Sequence, residues 1–356
     1  MLAFVLPSLF LGLPPLGWAI GLPWLGLAAG ALVVPAGEWL TGARTLGPGL
    51  RSVWLMRLIV LAVIAQIPLL ALLAAGSTWV GSSAEQALGV ADLLFLALSV
   101  GYVSGGIGIV LAHELGHRRD RIDLTLSRLL LLLVFWGPYR SEHNRGHHRR
   151  AATPDDPASA RADESLYRFM GRYFSGIYRC AFALGHAVQT DPPATEAAAR
   201  KIARVWASEA AVLSAGSVLA VALLGALGGW QAVLFVLIQA AVALYLVCAV
   251  DYVEHWGLQR AHRGDRWERM GPAHTWDCAN GLSDLLLFQL PRHAHHHIAP
   301  GLPAHRLQRT PEAPQMPTGY AGMVVLASVP PLWFAVMNPR LGALRKEGSF
   351  APSRTA

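Results

Sequence analysis

The sequence predicts an all-α integral membrane protein with about six transmembrane helices and a histidine-rich cap on the cytoplasmic side. Three observations carry that expectation. Only 14% of the 356 residues are charged while 54% are hydrophobic, against roughly 25% charged in soluble domains, and the deficit falls in long uncharged runs. Lys and Arg are absent between Arg57 and Arg118, and again between Arg204 and Arg260. The histidines gather just beyond the ends of apolar runs instead of scattering.

A helix needs about 20 apolar residues to cross the hydrocarbon core. Leu2 to Ile20 and Leu22 to Leu40 are expected to form a hairpin that Pro14-Pro15 and Pro23 kink or break. The first run lacks a basic flank, so it reads as a retained span and not a cleaved signal. Val53 to Ala75 is the third span. Leu88 to Ala112 is the fourth and leads directly into His113-Glu114-Leu115-Gly116-His117. Glu209 to Gly228 and Gln231 to Val250 are the fifth and sixth, turning at Gly228-Gly229 and leading into Asp251-Tyr252-Val253-Glu254-His255. Leu126 to Trp136 is too short to span and is expected at the interface. Tyr320 to Met337, interrupted by Pro330-Pro331, is expected as a surface helix. Pro300 to Pro317 reads as an irregular connector, and Asn338 to Ala356 as a mobile basic tail near anionic lipid. Residues 1–356 are thus one membrane-bound domain, with polar segments 113–208 and 251–320 outside the bilayer.

Charge sets the orientation. With both termini inside, the loops lacking Lys and Arg are the outside ones, as the positive-inside rule requires. The same topology puts every histidine cluster on the cytoplasmic side of a bacterial-type inner membrane. The net charge of +7 follows from this bias, and the basic residues form no stripe among aromatics, which argues against nucleic acid. Cys180, Cys248 and Cys278 form no CxxC pair, so they are expected to be reduced thiols and cannot build an iron–sulfur site.

The histidines form three clusters: His113 and His117; His143, His147 and His148; and His293, His295, His296 and His297, with His255 after the sixth span. Imidazoles at i and i+4 of a helix share a face. Taken alone, His113-Glu-Leu-Gly-His117 fits the H-E-x-x-H zinc protease pattern. Eight or nine histidines exceed the three or four ligands of one zinc and suit two metals. All-nitrogen ligation suits iron that handles O2. A metal transporter instead predicts histidines at mid-membrane depth.

These residues resemble the membrane di-iron superfamily of desaturases and hydroxylases, and within it the alkane 1-monooxygenase (alkane ω-hydroxylase) family. The likeness rests on His113-Glu-Leu-Gly-His117, and on Glu142-His-Asn-Arg-Gly-His-His148 followed by Ala152-Thr-Pro-Asp-Asp-Pro-Ala-Ser159 and Glu164-Ser-Leu-Tyr-Arg168. Asp251-Tyr-Val-Glu-His-Trp-Gly257 and Leu290-Pro-Arg-His293 with His296-His297 complete it. Asp251, Pro291 and His295 stand where the family usually has Asn, Gln and Asp. The resemblance implies a di-iron ligand set of His113, His117, His143, His147, His148, His255, His293, His296 and His297. It implies terminal hydroxylation of medium- or long-chain n-alkanes with O2 as co-substrate, and a rubredoxin-type donor with its reductase. No nucleotide fingerprint of the GxGxxG type precedes a helix, so electrons are expected from outside the chain. The glycines of Gly101 to Gly108 lie within the fourth span and read as helix-packing residues.

Glu114, Glu142 and Glu254 each neighbour a ligand and are expected to hold the far ring nitrogen of a histidine. Asp155, Asp156 and Asp277 are weaker candidates for the same work. His274 and His295 are expected to support the site without ligating, and Arg145 and Arg292 to pair with these acids. His186, His262 and His305 carry no assignment. The competing enzyme reading is a desaturase or hydroxylase of a lipid acyl chain or an alkyl-aromatic side chain.

Overall fold

The computed structural model describes residues 2–44, 49–187, 208–264 and 266–346. Residues 188–207 of the expected cytoplasmic loop and residues 347–356 of the basic tail lie outside these. The described residues are mostly helical; they include one two-residue antiparallel ladder, His262–Arg263 with Arg266–Trp267, and an isolated parallel bridge between Asp277 and Gln315.

Among the described residues, four helices are long and apolar enough to cross a membrane: α1 (Leu2–Ala19), α3 (Val53–Ala74), α4 (Val90–Gly116) and α8 (Glu209–His255). Between the first two lies α2 (Leu25–Thr41), a shorter apolar helix. α1 runs uninterrupted through Pro14 and Pro15. The chain reverses only after it, around Gly21 at φ 73°, a left-handed conformation that costs glycine little. α8 is nominally 47 residues, but Gly229 breaks it at φ 65° and ψ −161°. Two contacts prove that it folds back there. Ser217 Oγ donates to the Leu132 carbonyl at 2.7 Å and Gln239 Nε2 to the Leu133 carbonyl at 2.9 Å. In a straight helix those two side chains would start about 33 Å apart at 1.5 Å per residue.

The chain divides into two compact units. The first comprises Met1–Val33, Leu50–Glu142 and Tyr178–Val247. Its core is aliphatic. A Cβ on Gly101 would lie 2.5 Å from Val242 Cβ, and one on Gly105 would lie 2.9 Å from Ala243 Cα. Glycines four apart thus let α4 meet the returning arm of α8 backbone to backbone, the close packing small residues permit in membranes. α5 (Arg121–Leu133) starts at Asp120, whose carboxylate caps the Ile122 and Asp123 N–H groups. Ser127 Oγ of α5 donates to the Ala112 carbonyl at 2.6 Å, and Arg57 of α3 pairs with Asp123 at 2.7 Å. These two bonds pin the end of α4 that carries His113.

The second unit comprises Val34–Gly49, His143–Ile177 and Cys248–Ala356. It is polar inside: Glu38, Asp156, Glu164, Asp251, Glu254, Asp277 and Asp284 are all buried. α11 (Tyr320–Ala327) and α12 (Pro330–Lys346) meet at a 118° bend. The expected surface helix is thus two helices, with Trp333 and Met337 fully buried while Val325, Val329 and Leu332 are exposed. The expected mobile tail is helical as far as Lys346, because Leu341 is buried and would be met at 2.5 Å by a Cβ on Gly257.

Trp39, Trp54, Trp79 and Trp230 are exposed, each at a helix end or turn. That is where indole rings, apolar but with one N–H, settle at a membrane interface.

Candidate metal centre

The second His cluster lies on a π-helical turn, His143–His147, that passes into a short α-turn at His148. A π-turn, bonded i to i+5, is wider than an α-turn, so residues i+4 and i+5 flank residue i on one face. His148 as well as His147 therefore stays on the side of His143, with ring centroids 4.5 and 5.2 Å from it. The last cluster begins α10 (His293–Ile298), where His293 and His297 fall one turn apart with Nε2 atoms separated by 2.9 Å. His255 closes α8, its Nε2 3.2 Å from that of His293, and His147 Nε2 lies 3.2 Å from that of His297.

One ring nitrogen from each of His147, His255, His293 and His297 lies within 4.8 Å of the other three, and all four side chains are buried. Three of the rings are held from behind. His147 Nδ1 is 3.0 Å from Asp156 Oδ2, His293 Nδ1 is 3.2 Å from Glu254 Oε1, and His255 Nδ1 is 3.3 Å from the His274 carbonyl. At His147 and His255 the acceptor puts the ring proton on Nδ1 and leaves the Nε2 lone pair facing the centre. Burial holds the His297 imidazole well below its usual range, so it too is neutral. Lone pairs that converge this way repel unless a cation lies among them. Four neutral nitrogens suit a first-row transition metal and not magnesium or calcium.

A second set lies beside this one in the same unit. His143, His148 and His296 each offer a nitrogen within 4.8 Å of the others. The His148 ring is 4.8 Å from that of His296 and 4.8 Å from that of His297. In the first unit, His113 and His117 end α4 with Nε2 atoms 3.1 Å apart.

The carboxylates divide by task. Burial alone would lift the Asp156 carboxyl, but His147 and Ser159, whose Oγ donates at 2.7 Å, outweigh it and hold the group below its usual range. Glu254 stands behind His293. Asp277 reaches no ring; its Oδ1 accepts the Ala294 N–H at 2.9 Å and so caps the first turn of α10. Burial pushes its carboxyl up to about 6. Glu114 pairs with Arg118 at 2.9 Å, and Glu142 is buried.

His274 serves through its carbonyl, since its ring is taken by Glu268 Oε1 at 2.9 Å and the Gly271 N–H at 3.0 Å. The His295 ring accepts from the Gln308 N–H at 3.2 Å and stands outside both sets. Arg292 pairs with Asp284 at 3.0 Å, not with an acid beside a ligand, and Arg145 is exposed. Asp284 and Tyr320, whose hydroxyl donates to Glu254 at 2.8 Å, escaped sequence reasoning. Neither lies in a histidine motif, and only the fold carries them there.

A histidine-rich metal centre carried on apolar helices defines a class, and comparison places the chain in it. The fatty acid desaturase family model matches residues 88–327. Alkane 1-monooxygenase of Acinetobacter baylyi is 36% identical over 259 residues, 72% of this chain and 61% of the relative. Alkane 1-monooxygenase 2 of Alcanivorax borkumensis is 39% identical over 247 residues, covering 69% and 63%. Alkane 1-monooxygenase 2 of Pseudomonas aeruginosa is 36% identical over 283 residues, covering 79% and 72%. The chain belongs to the fatty acid desaturase family, on its alkane 1-monooxygenase branch. It spans 61–63% of the length of the first three of the curated relatives it matches.

Proposed function

We propose that this protein hydroxylates medium- or long-chain n-alkanes, or related hydrocarbons, to primary alcohols at a histidine-held di-iron centre. The observation that carries the reading is the buried set of four Nε2 atoms, three braced from behind, in a chain of this family. The nine proposed ligands are His113, His117, His143, His147, His148, His255, His293, His296 and His297, of which His147, His255, His293 and His297 form the braced set. The reaction consumes alkane, O2, two electrons and two protons, and yields alcohol and water. Iron held by these imidazoles supplies the redox chemistry that a strong aliphatic C–H bond demands. The chain's own residues orient the imidazoles through Asp156, Glu254 and the His274 carbonyl, and they keep water from the ligands by burial. A hydrocarbon offers nothing to hydrogen-bond, so terminal selectivity arises from shape, with the substrate taken end-on from the lipid.

We place the protein in a bacterial-type inner membrane as one domain, with six crossings, α2 and both arms of α8 included. Segments 113–208 and 251–320 then lie on the cytoplasmic side, where a rubredoxin-type donor and its reductase deliver electrons. Loops without Lys or Arg on alternate connections and exposed tryptophans at helix ends support this arrangement. The family match also favours a second reading, oxidation of a lipid acyl chain.

Product identification decides between them. Cells expressing the protein with a rubredoxin system are fed n-alkane, fatty acid or alkylbenzene under 18O2. Labelled 1-alkanol from alkane supports the first reading. Products only from the fatty acid support the second, and about one zinc with no iron per chain would sink both.

A further inference from the structure

We infer that Tyr320, 23 positions beyond the nearest proposed ligand in sequence, His297, is a positioning residue for the four-histidine set and acts through Glu254 on His293. The inference rests on the metal-centre reading above. Glu254 is 3% exposed and Tyr320 also 3%, so neither group can exchange its partner for bulk water. The Tyr320 hydroxyl donates to Glu254 Oε1 at 2.8 Å, and the same oxygen lies 3.2 Å from His293 Nδ1. One carboxylate oxygen thus takes a hydrogen bond from the phenol on one side and faces the back of a ligand ring on the other. A carboxylate with one free rotation cannot keep that geometry unless something fixes it, and the phenol is a rigid donor with few rotamers to lose.

The other end of Tyr320 is fixed as firmly. Its backbone N–H donates to Ser283 Oγ at 3.0 Å, and Ser283 Oγ donates to Glu38 Oε1 at 2.5 Å. Glu38 also accepts the Ala321 and Gly322 N–H groups at 3.2 and 2.8 Å. Glu38 thus satisfies donors that the first turn of α11 leaves without helical partners. Residue 319 has no room for a side chain, because a Cβ there would stand 2.3 Å from Glu38 Cδ. The start of α11 is therefore locked by buried groups that touch no histidine, and the tyrosine transmits that fixed position to Glu254. Outer partners of metal-bound histidines change metal affinity or activity by about 10–100-fold when removed. Tyr320 acts one bond further out, so the low end of that range is expected.

The test is a cobalt(II) titration of the purified, metal-free full chain in nanodiscs, following the ligand-field spectrum, with Y320F, E254Q and the double variant beside wild type. Y320F is expected to weaken cobalt binding about tenfold and to shift the visible band, with helical circular dichroism unchanged. E254Q is expected to do the same or more, and Y320F added to E254Q should cost nothing further. Additive losses, or a Y320F spectrum and affinity equal to wild type, overturn the inference. Should Y320F fail to fold, 3-fluorotyrosine at position 320 keeps the ring and strengthens the donor. It should move the band opposite to E254Q, and an unmoved band overturns the inference. Wild type that binds no cobalt removes the metal-centre reading and this inference together, whereas normal wild-type binding with a silent Tyr320 removes only this inference.

Discussion

The aliphatic first unit and the polar second unit meet opposite demands. In the first, helices pack through glycines, and most polar side chains near the ends of helices are spent on pinning one helix to another, as Ser127 is on the Ala112 carbonyl. In the second, among the described residues, seven histidines and seven carboxylates are buried, several with a specific partner, as Asp156 is for His147. Aliphatic packing is forgiving of identity and strict about volume. A buried polar set is strict about identity, because each unmatched group carries its full desolvation cost. The two units should therefore respond to different kinds of substitution.

The largest effect is expected from H147A. It removes one of four nitrogens and leaves Asp156 buried beside an empty space. Iron content and alkane hydroxylation should both fall by more than about 100-fold, beyond what loss of an outer partner costs, while the protein still inserts. Full activity in a membrane preparation of H147A would break the proposed site.

D156N keeps the shape and removes the charge behind His147. The expected loss is about 10–100-fold in iron affinity or turnover, measured by metal analysis after dialysis against a chelator. A D156N protein that retains iron like wild type would show that the brace is incidental.

The histidine pair at 295 and 296 sharpens the contrast between neighbours. H296A should lose hydroxylation nearly as far as H147A. H295A removes one acceptor for the Gln308 N–H, worth about 1 kcal/mol of stability, and should keep most turnover. The reverse order would mean that the wrong ring has been assigned.

In the aliphatic unit volume decides. G105A drives a methyl to within 2.9 Å of Ala243 Cα, whereas a Cβ on Gly106 meets nothing within 4 Å. G105A should cost about 1–3 kcal/mol by thermal melting in detergent, and G106A should be close to neutral. Equal melting of the two variants would show that α4 and α8 are not packed as described.

The smallest effect concerns thiols. Burial pushes the Cys278 thiol up to about 12, and Cys180 is only half-buried. Because the thiolate is the reactive form, iodoacetamide at pH 8 should modify Cys180 well before Cys278 in the folded protein, as read by peptide mass spectrometry.

Much of the molecule was legible in its chain. Long uncharged runs marked α1, α3, α4 and α8, and the Gly228-Gly229 pair marked the reversal inside α8, because hydropathy and glycine act over a few adjacent residues. Pro23 lies at the break between α1 and α2, whereas α1 continues through Pro14-Pro15, where a local rule expects a kink or break. The bend within Tyr320 to Met337 and the helical end of the tail were not foreseen. Trp333 and Leu341 are buried by partners far away in sequence, which no local window contains.

The sequence by itself determined the class: apolar spans of sufficient length, one-sided Lys and Arg, and imidazoles at i, i+4 and i+5 that suit a metal centre. Spacing carries that information because helical geometry converts it directly into a shared face. Only the tertiary structure decided the partners. It set Asp156 behind His147, gave His255 the backbone of His274 and not its ring, turned Asp277 to a helix end, and brought Tyr320 to Glu254. Hydrogen bonds between residues 9 to 66 positions apart depend on how helices close on one another, and that closure is a property of the packed whole.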